Sequence, residues 1–182
     1  GYWERLETGE LTREQVMLGR FHEFFESEGL PTDQVKVFND EYQIRLGDKA
    51  FFCDHGDELV KQLKATVKQY AVTNGTTVAQ ERKLRFSGLD QLLDGVFISE
   101  QVGVDKPQKA FFDAVWNEIG SYAPDEVVIV GDSLTSDIRG GKNAGILTCW
   151  YNPDHLPNKI EVTPDCTIDN LQDILSYLDE SR

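Results

Sequence analysis

The sequence predicts an α/β fold: a three-layer, Rossmann-like parallel sheet with helices on both faces, preceded by a smaller helical module. Three observations lead there. From residue 51 onward, short apolar runs alternate with amphipathic stretches. The runs themselves, at 69–73, 95–99, 127–130 and 146–150, are nearly continuous, as in strands buried on both faces. Before residue 50 the apolar spacing is helical throughout. The division expected is therefore a helical segment over 1–49 and an α/β segment over 50–182.

In the helical segment, Thr12 followed by Gln15 makes a capping box, with Thr12 as the N-cap. Val16, Met17, Phe21, Phe24 and Phe25 then gather on one side, and Gly29 supplies a stop. A second helix opens at Thr32-Asp33 and carries Val35, Phe38, Tyr42 and Leu46 before Gly47. Both stripes are read as core packing. In the α/β segment, helices are expected over 56–66, 77–86, 107–119 and 135–144, with a last one over 171–178 behind Asp169-Asn170.

Composition narrows the function. With 40% hydrophobic and 27% charged residues the chain is globular rather than disordered. No apolar run approaches the roughly 18 residues of a membrane helix, so no membrane partner is expected. A net charge of −14 opposes nucleic-acid binding, which rests on neutralising phosphates. Such acidity serves solubility, and it also means that an anionic substrate needs a local cation or lysine. Three widely spaced cysteines, Cys53, Cys149 and Cys166, fit reduced thiols in a cytoplasm better than a disulfide framework.

In open parallel sheets, ligands bind beyond the carboxyl ends of the strands, so the polar residues that follow each apolar run are the candidates. After the first run come Thr73, Asn74 and Gly75, which can offer a small anion two donors and close backbone approach. The same tripeptide is also an ordinary strand-to-helix turn. After the second comes Lys106-Pro107, with the proline suited to a first helical turn and the lysine poised at its entrance. Lysine there can reach a phosphate at the sheet edge or damp repulsion between carboxylates; a surface pair is the plainer reading. The third run ends in Gly131-Asp132-Ser133, with Asp137 five residues beyond Asp132. Magnesium prefers oxygen ligands and takes few protein carboxylates, so Asp132 at a strand tip is placed to hold such an ion. Asp137 is placed to hold the ligands of that ion from behind, without binding it directly, or to orient Lys106. A helix cap is the alternative for Asp132.

Taken in order, Val72-Thr73-Asn74-Gly75, Lys106-Pro107 and Gly131-Asp132-Ser133 with Asp137 resemble the second, third and fourth motifs of the haloacid dehalogenase superfamily. The stretches 42–47, 56–63 and 98–106 resemble most the branch of small pyrimidine 5′-nucleotidases. The resemblance implies that residues 1–49 are the end of a helical cap of the first class. It implies magnesium as cofactor, held partly by Asp132, and a small phosphorylated metabolite as partner, a nucleoside monophosphate first. Thr73 and Lys106 would be catalytic, and Thr73, Asn74, Gly75 and Lys106 would bind the substrate. In that family an aspartate attacks the phosphorus, and a second aspartate two residues later is the acid and base. No Asp-x-Asp occurs in this chain. The resemblance places that motif on a central strand ahead of the cap, so a segment of about 50 residues upstream, with the first core strand, is expected to be missing here. This chain alone would then be inactive. The alternatives are an inactive binding module of the same fold, a sugar-phosphate mutase, or a dehalogenase, the last needing no metal.

Overall fold

The computed structural model describes residues 1–120 and 122–180; residue 121 and the last two residues of the 50–182 segment lie outside the described residues. Three helices come first: α1 (Tyr2–Glu7), α2 (Arg13–Ser27) and α3 (Val35–Gly47). The α/β part follows as α4 (Gly56–Leu63), β1 (Tyr70–Thr73), α5 (Thr77–Ser87), β2 (Gly95–Ile98), α6 (Ser99–Val102), α7 (Lys109–Ile119), β3 (Val128–Gly131), α8 (Arg139–Ala144), β4 (Leu147–Tyr151), β5 (Cys166–Ile168) and α9 (Ile174–Glu180).

The capping box forms as expected: the Thr12 hydroxyl accepts from the Gln15 N–H, and the Gln15 side chain accepts from the Thr12 N–H at 2.8 Å. Gly29 adopts the left-handed conformation that stops the helix. Val16, Met17, Phe25 and Val35 are buried, but Phe24 is 49% exposed and Phe38 and Leu46 also reach the surface. The aromatic stripe is thus only partly core. Phe21, Phe25, Phe38 and Tyr42 meet edge to face between α2 and α3.

All strand pairs are parallel, in the register Tyr70↔Gly95 to Thr73↔Ile98, Val128↔Leu147 to Gly131↔Trp150 and Cys149↔Cys166 to Tyr151↔Ile168. The strands fall in two groups, β1-β2 and β3-β4-β5. Helix α7 spans both: Phe111, Phe112 and Val115 pack with Ile129 of β3 and with Val72 and Phe97 of the other sheet. On the opposite face of the larger sheet, Leu59 and Leu63 of α4 pack with Cys149, Ile168 and Ile174. Among the described residues β1 and β3 are each paired on one side only, and Val130 of β3 is 39% exposed, a large value for a strand residue in such a layer.

Three expectations need correction. Pro107 lies outside α7, whose N-cap is Gln108; the Lys106–Pro107 peptide is cis, and the Pro107 carbonyl is taken by Asn143 Nδ2 of α8 at 2.9 Å. The helix expected over 135–144 opens with a π-helical turn, Leu134–Ile138, and becomes α-helical only at Arg139. Helix α1 and strand β5 were not foreseen, being six and three residues long, too short for periodicity to show. Among the described residues no helix is long and apolar enough to cross a membrane.

Asp165 anchors β4. Its carboxylate accepts from the Thr148 N–H and hydroxyl, both at 2.8 Å, and from Lys142 Nζ at 2.6 Å. Burial pushes its pKa up, but Lys142 and Thr148 outweigh that and hold it below the usual carboxylate value. A carboxyl depressed in the fold stabilises above its unfolded pKa of about 4, and that contribution is lost as pH falls through the lower folded value. Asp165→Asn is therefore expected to cost about 1 kcal/mol at pH 7, discounted for partial exposure, and less at pH 3. Urea unfolding of both proteins at the two pH values checks this; an equal difference at both contradicts it.

Candidate active site

Parallel register brings the carboxyl ends of β1 and β2, and of β3 and β4, to common edges, and the polar loops follow from there. Thr73 ends β1. Asn74 clips the loop after α6: its Nδ2 donates to the Lys106 carbonyl and its Oδ1 accepts from the Lys106 N–H, each at 2.9 Å. Gly75 is engaged within the fold, its N–H donating to Ser99 Oγ at 3.1 Å and its carbonyl accepting from Arg13 Nη1 at 2.8 Å.

Lys106 is only 5% exposed. Its ammonium donates to the Val72 carbonyl of β1 at 2.7 Å and to Asp137 Oδ1 at 2.6 Å. An ammonium has three N–H donors, so one remains for a ligand. Asp137 is buried too, and its other oxygen accepts from the Ser133 N–H at 3.2 Å. The π-helical turn presents it there: Ser133 caps the turn by accepting from the Ser136 N–H, and Asp137 N–H donates back to the Ser133 carbonyl at 2.9 Å. The Asp137 side chain lies directly on Gly131, where a Cβ would fall within 2.5 Å of its own.

Asp132 stands apart from this network. Its carbonyl accepts from Trp150 Nε1 at 3.0 Å, which fixes the strand tip, while its carboxylate is exposed and has no protein partner among the described residues. Magnesium takes one or two protein carboxylates and keeps several waters, so this free carboxylate fits as one donor. Among the described residues no three His, Cys, Asp or Glu side chains gather as a complete metal cluster. Asp137, tied to Lys106, acts by holding that lysine.

The Lys106 ammonium thus ties the Val72 carbonyl of β1 to Asp137 in the turn after β3; Thr73 ends β1, and Asp132 follows the tip of β3 outside that network. Two contributors went unseen in the sequence. Arg13, at the first turn of α2, donates to Gly75 O, to Ser99 Oγ at 2.6 Å and to Asp105, the neighbour of Lys106. Its partners are 62 to 92 residues away, beyond any local pattern. Glu7 ends α1; burial raises its carboxyl pKa, the charges of Asp137 and Glu4 add to this, and Thr135 and Arg139 oppose it.

Arg13→Met is expected to cost about 2–4 kcal/mol, because it strands a largely buried Asp105 carboxylate, and to lower Tm by roughly 5–15 °C. Thermal unfolding checks this; a shift under about 2 °C would show that the contact carries no weight.

The sequence pattern of the haloacid dehalogenase-like hydrolases matches residues 2–145. The HAD-hydrolase YfnB of Bacillus subtilis is 35% identical over 178 residues, covering 98% of this chain and 75% of YfnB. Its crystal structure, described as bound to magnesium and as revealing interdomain movement, superposes with a TM-score of 0.91 over 98% of this chain and 78% of that one. The pyrimidine 5′-nucleotidase PynA of Streptococcus pneumoniae is 34% identical over 180 residues, covering 98% of this chain and 76% of PynA. The pyrimidine 5′-nucleotidase YjjG of Escherichia coli is 31% identical over 176 residues, covering 97% and 77%. This chain belongs to the haloacid dehalogenase-like hydrolase family.

Proposed function

We propose that the protein is a magnesium-dependent phosphomonoester hydrolase acting on a small metabolite, with a nucleoside monophosphate as first candidate. The observation that carries this is the buried Lys106 ammonium, held by Val72 and Asp137 with one donor left over; the free carboxylate of Asp132, directly after β3, adds a candidate metal ligand. The nucleotidase relatives support the choice of substrate.

In this reading an aspartate supplied from outside this chain attacks phosphorus, the ester oxygen departs with its bonding electrons, and an aspartyl-phosphate forms. A second aspartate protonates the leaving oxygen and then takes a proton from the hydrolysing water. The open edges of β1 and β3 are compatible with a strand carrying both aspartates. The third N–H of Lys106 and the Thr73 hydroxyl donate to the transferring oxygens, where negative charge spreads. Asn74 holds Lys106 in place through its main chain, and Asp132 is the metal ligand of this chain. The magnesium ion, when bound, offsets the charge of the phosphoryl oxygens and orients them. Residues 1–49 act as the cap that encloses the leaving group.

The test is phosphate release by the natural full-length protein from a panel of nucleoside monophosphates and sugar phosphates, with and without magnesium. Magnesium-stimulated release is expected. Binding of phosphate and magnesium with no release from any compound would favour a non-catalytic module and overturn the proposal.

A further inference from the structure

Arg20 lies seven residues beyond Arg13 on α2, two turns along the same helix face. That face meets the core: Arg13 reaches Gly75 and Ser99, and between the two arginines Met17 Sδ takes the Gln43 amide at 3.6 Å. The Gln43 carbonyl in turn accepts from the Thr76 hydroxyl at 2.9 Å, directly after Thr73-Asn74-Gly75. Arg20 sits at the far end of this chain of contacts, with Nη2 at 3.9 Å from Met17 Sδ. Its guanidinium carbon lies over the rings of Phe21 and Tyr42, 4.5 and 5.1 Å from their centroids. Its Nε is buried and has no hydrogen-bond partner, and no carboxylate lies within ion-pair reach of it among the described residues.

This is an unusual place for an arginine in a chain with 32 acidic and 18 basic residues. Ring faces balance a cation's charge without satisfying its N–H groups, and a partly desolvated guanidinium with an orphaned donor is costly unless something completes it. The donor edge left over is planar, and an arginine fork suits two acceptors lying in one plane.

Resting on the phosphatase reading, we propose that Arg20 is the substrate-selecting group of the helical segment. It binds a planar pair of acceptors on the leaving-group half of a phosphomonoester whose phosphate sits at Lys106. Two sources present that chemistry: the carbonyl and ring nitrogen edge of a cytosine base, and a carboxylate.

Matched substrates separate them. With the natural full-length protein, kcat and KM are measured for cytidine 5′-monophosphate against ribose 5-phosphate, and for 3-phosphoglycerate against glycerol 3-phosphate. Each pair differs in the acceptor group. In Arg20→Met the preference for the acceptor-bearing member is expected to fall at least about tenfold in one pair, mainly through KM, and that pair names the source. Arg20→Lys, which keeps the charge but not the fork, should behave likewise and covers the case that methionine fails to fold. Preferences unchanged in both pairs, in whichever variant folds, overturn the assignment. If the wild-type protein releases phosphate from none of the four, the hydrolase reading fails by itself. The same compounds are then titrated by calorimetry, where a tenfold affinity loss confined to one acceptor-bearing compound sustains Arg20 and its absence overturns it.

Discussion

Replacing Lys106 by methionine is expected to lower phosphate release by about two to three orders of magnitude and stability by about 3–5 kcal/mol. Both effects come from one atom. The ammonium is the donor left for the transferring oxygens, and it is also the partner of a buried carboxylate and of a strand carbonyl. Methionine keeps the volume but leaves Asp137 as an uncompensated buried charge. Adding Asp137→Asn to Lys106→Met should return part of the stability and none of the turnover, which separates the two roles. Urea unfolding and phosphate release on the full-length wild type and these two variants measure this. A Lys106→Met protein as stable and as active as the wild type would mean that the ion pair neither supports the fold nor serves the reaction.

Gly131→Ala is expected to cost about 1–3 kcal/mol and to lower turnover at least tenfold, although alanine is the smallest possible change. The added Cβ would fall within 2.5 Å of Asp137 Cβ and closer still to its carboxylate, so the strand tip or Asp137 has to move. Either shift strains the Ser133 N–H bond at 3.2 Å and the Lys106 contact at 2.6 Å. Unfolding and turnover of this variant, set beside Val130→Ala as a neighbour of the same strand, check it. Equal small effects at both positions would mean that Gly131 is only a strand residue.

How much of this could be read before the structure follows from the range of each interaction. The strand at 128–131 and its Gly-Asp-Ser end were legible because an apolar run and the turn after it are local signals. The same holds for the Thr12 capping box. Lys106 was legible as a candidate, but its burial was not, since that depends on Val72 and Asp137, each more than 30 residues away. Asn74 was expected to touch phosphate; the structure shows both ends of its amide holding Lys106, a contact that no spacing rule encodes. No local pattern marks Arg13, and only the fold sets it against Asp105. Which strand pairs with which was equally hidden, because periodicity reports that a strand exists and not its neighbours.

Asp132 offers the most direct measurement. Phosphate release by the full-length protein is followed against magnesium concentration in the wild type and in Asp132→Asn, with melting curves for both. The account predicts that the wild type is activated by magnesium and silenced by a chelator. Asp132→Asn should need roughly a hundredfold more of the ion, or fail to respond, with an unchanged melting temperature. The same magnesium dependence in both proteins would contradict it.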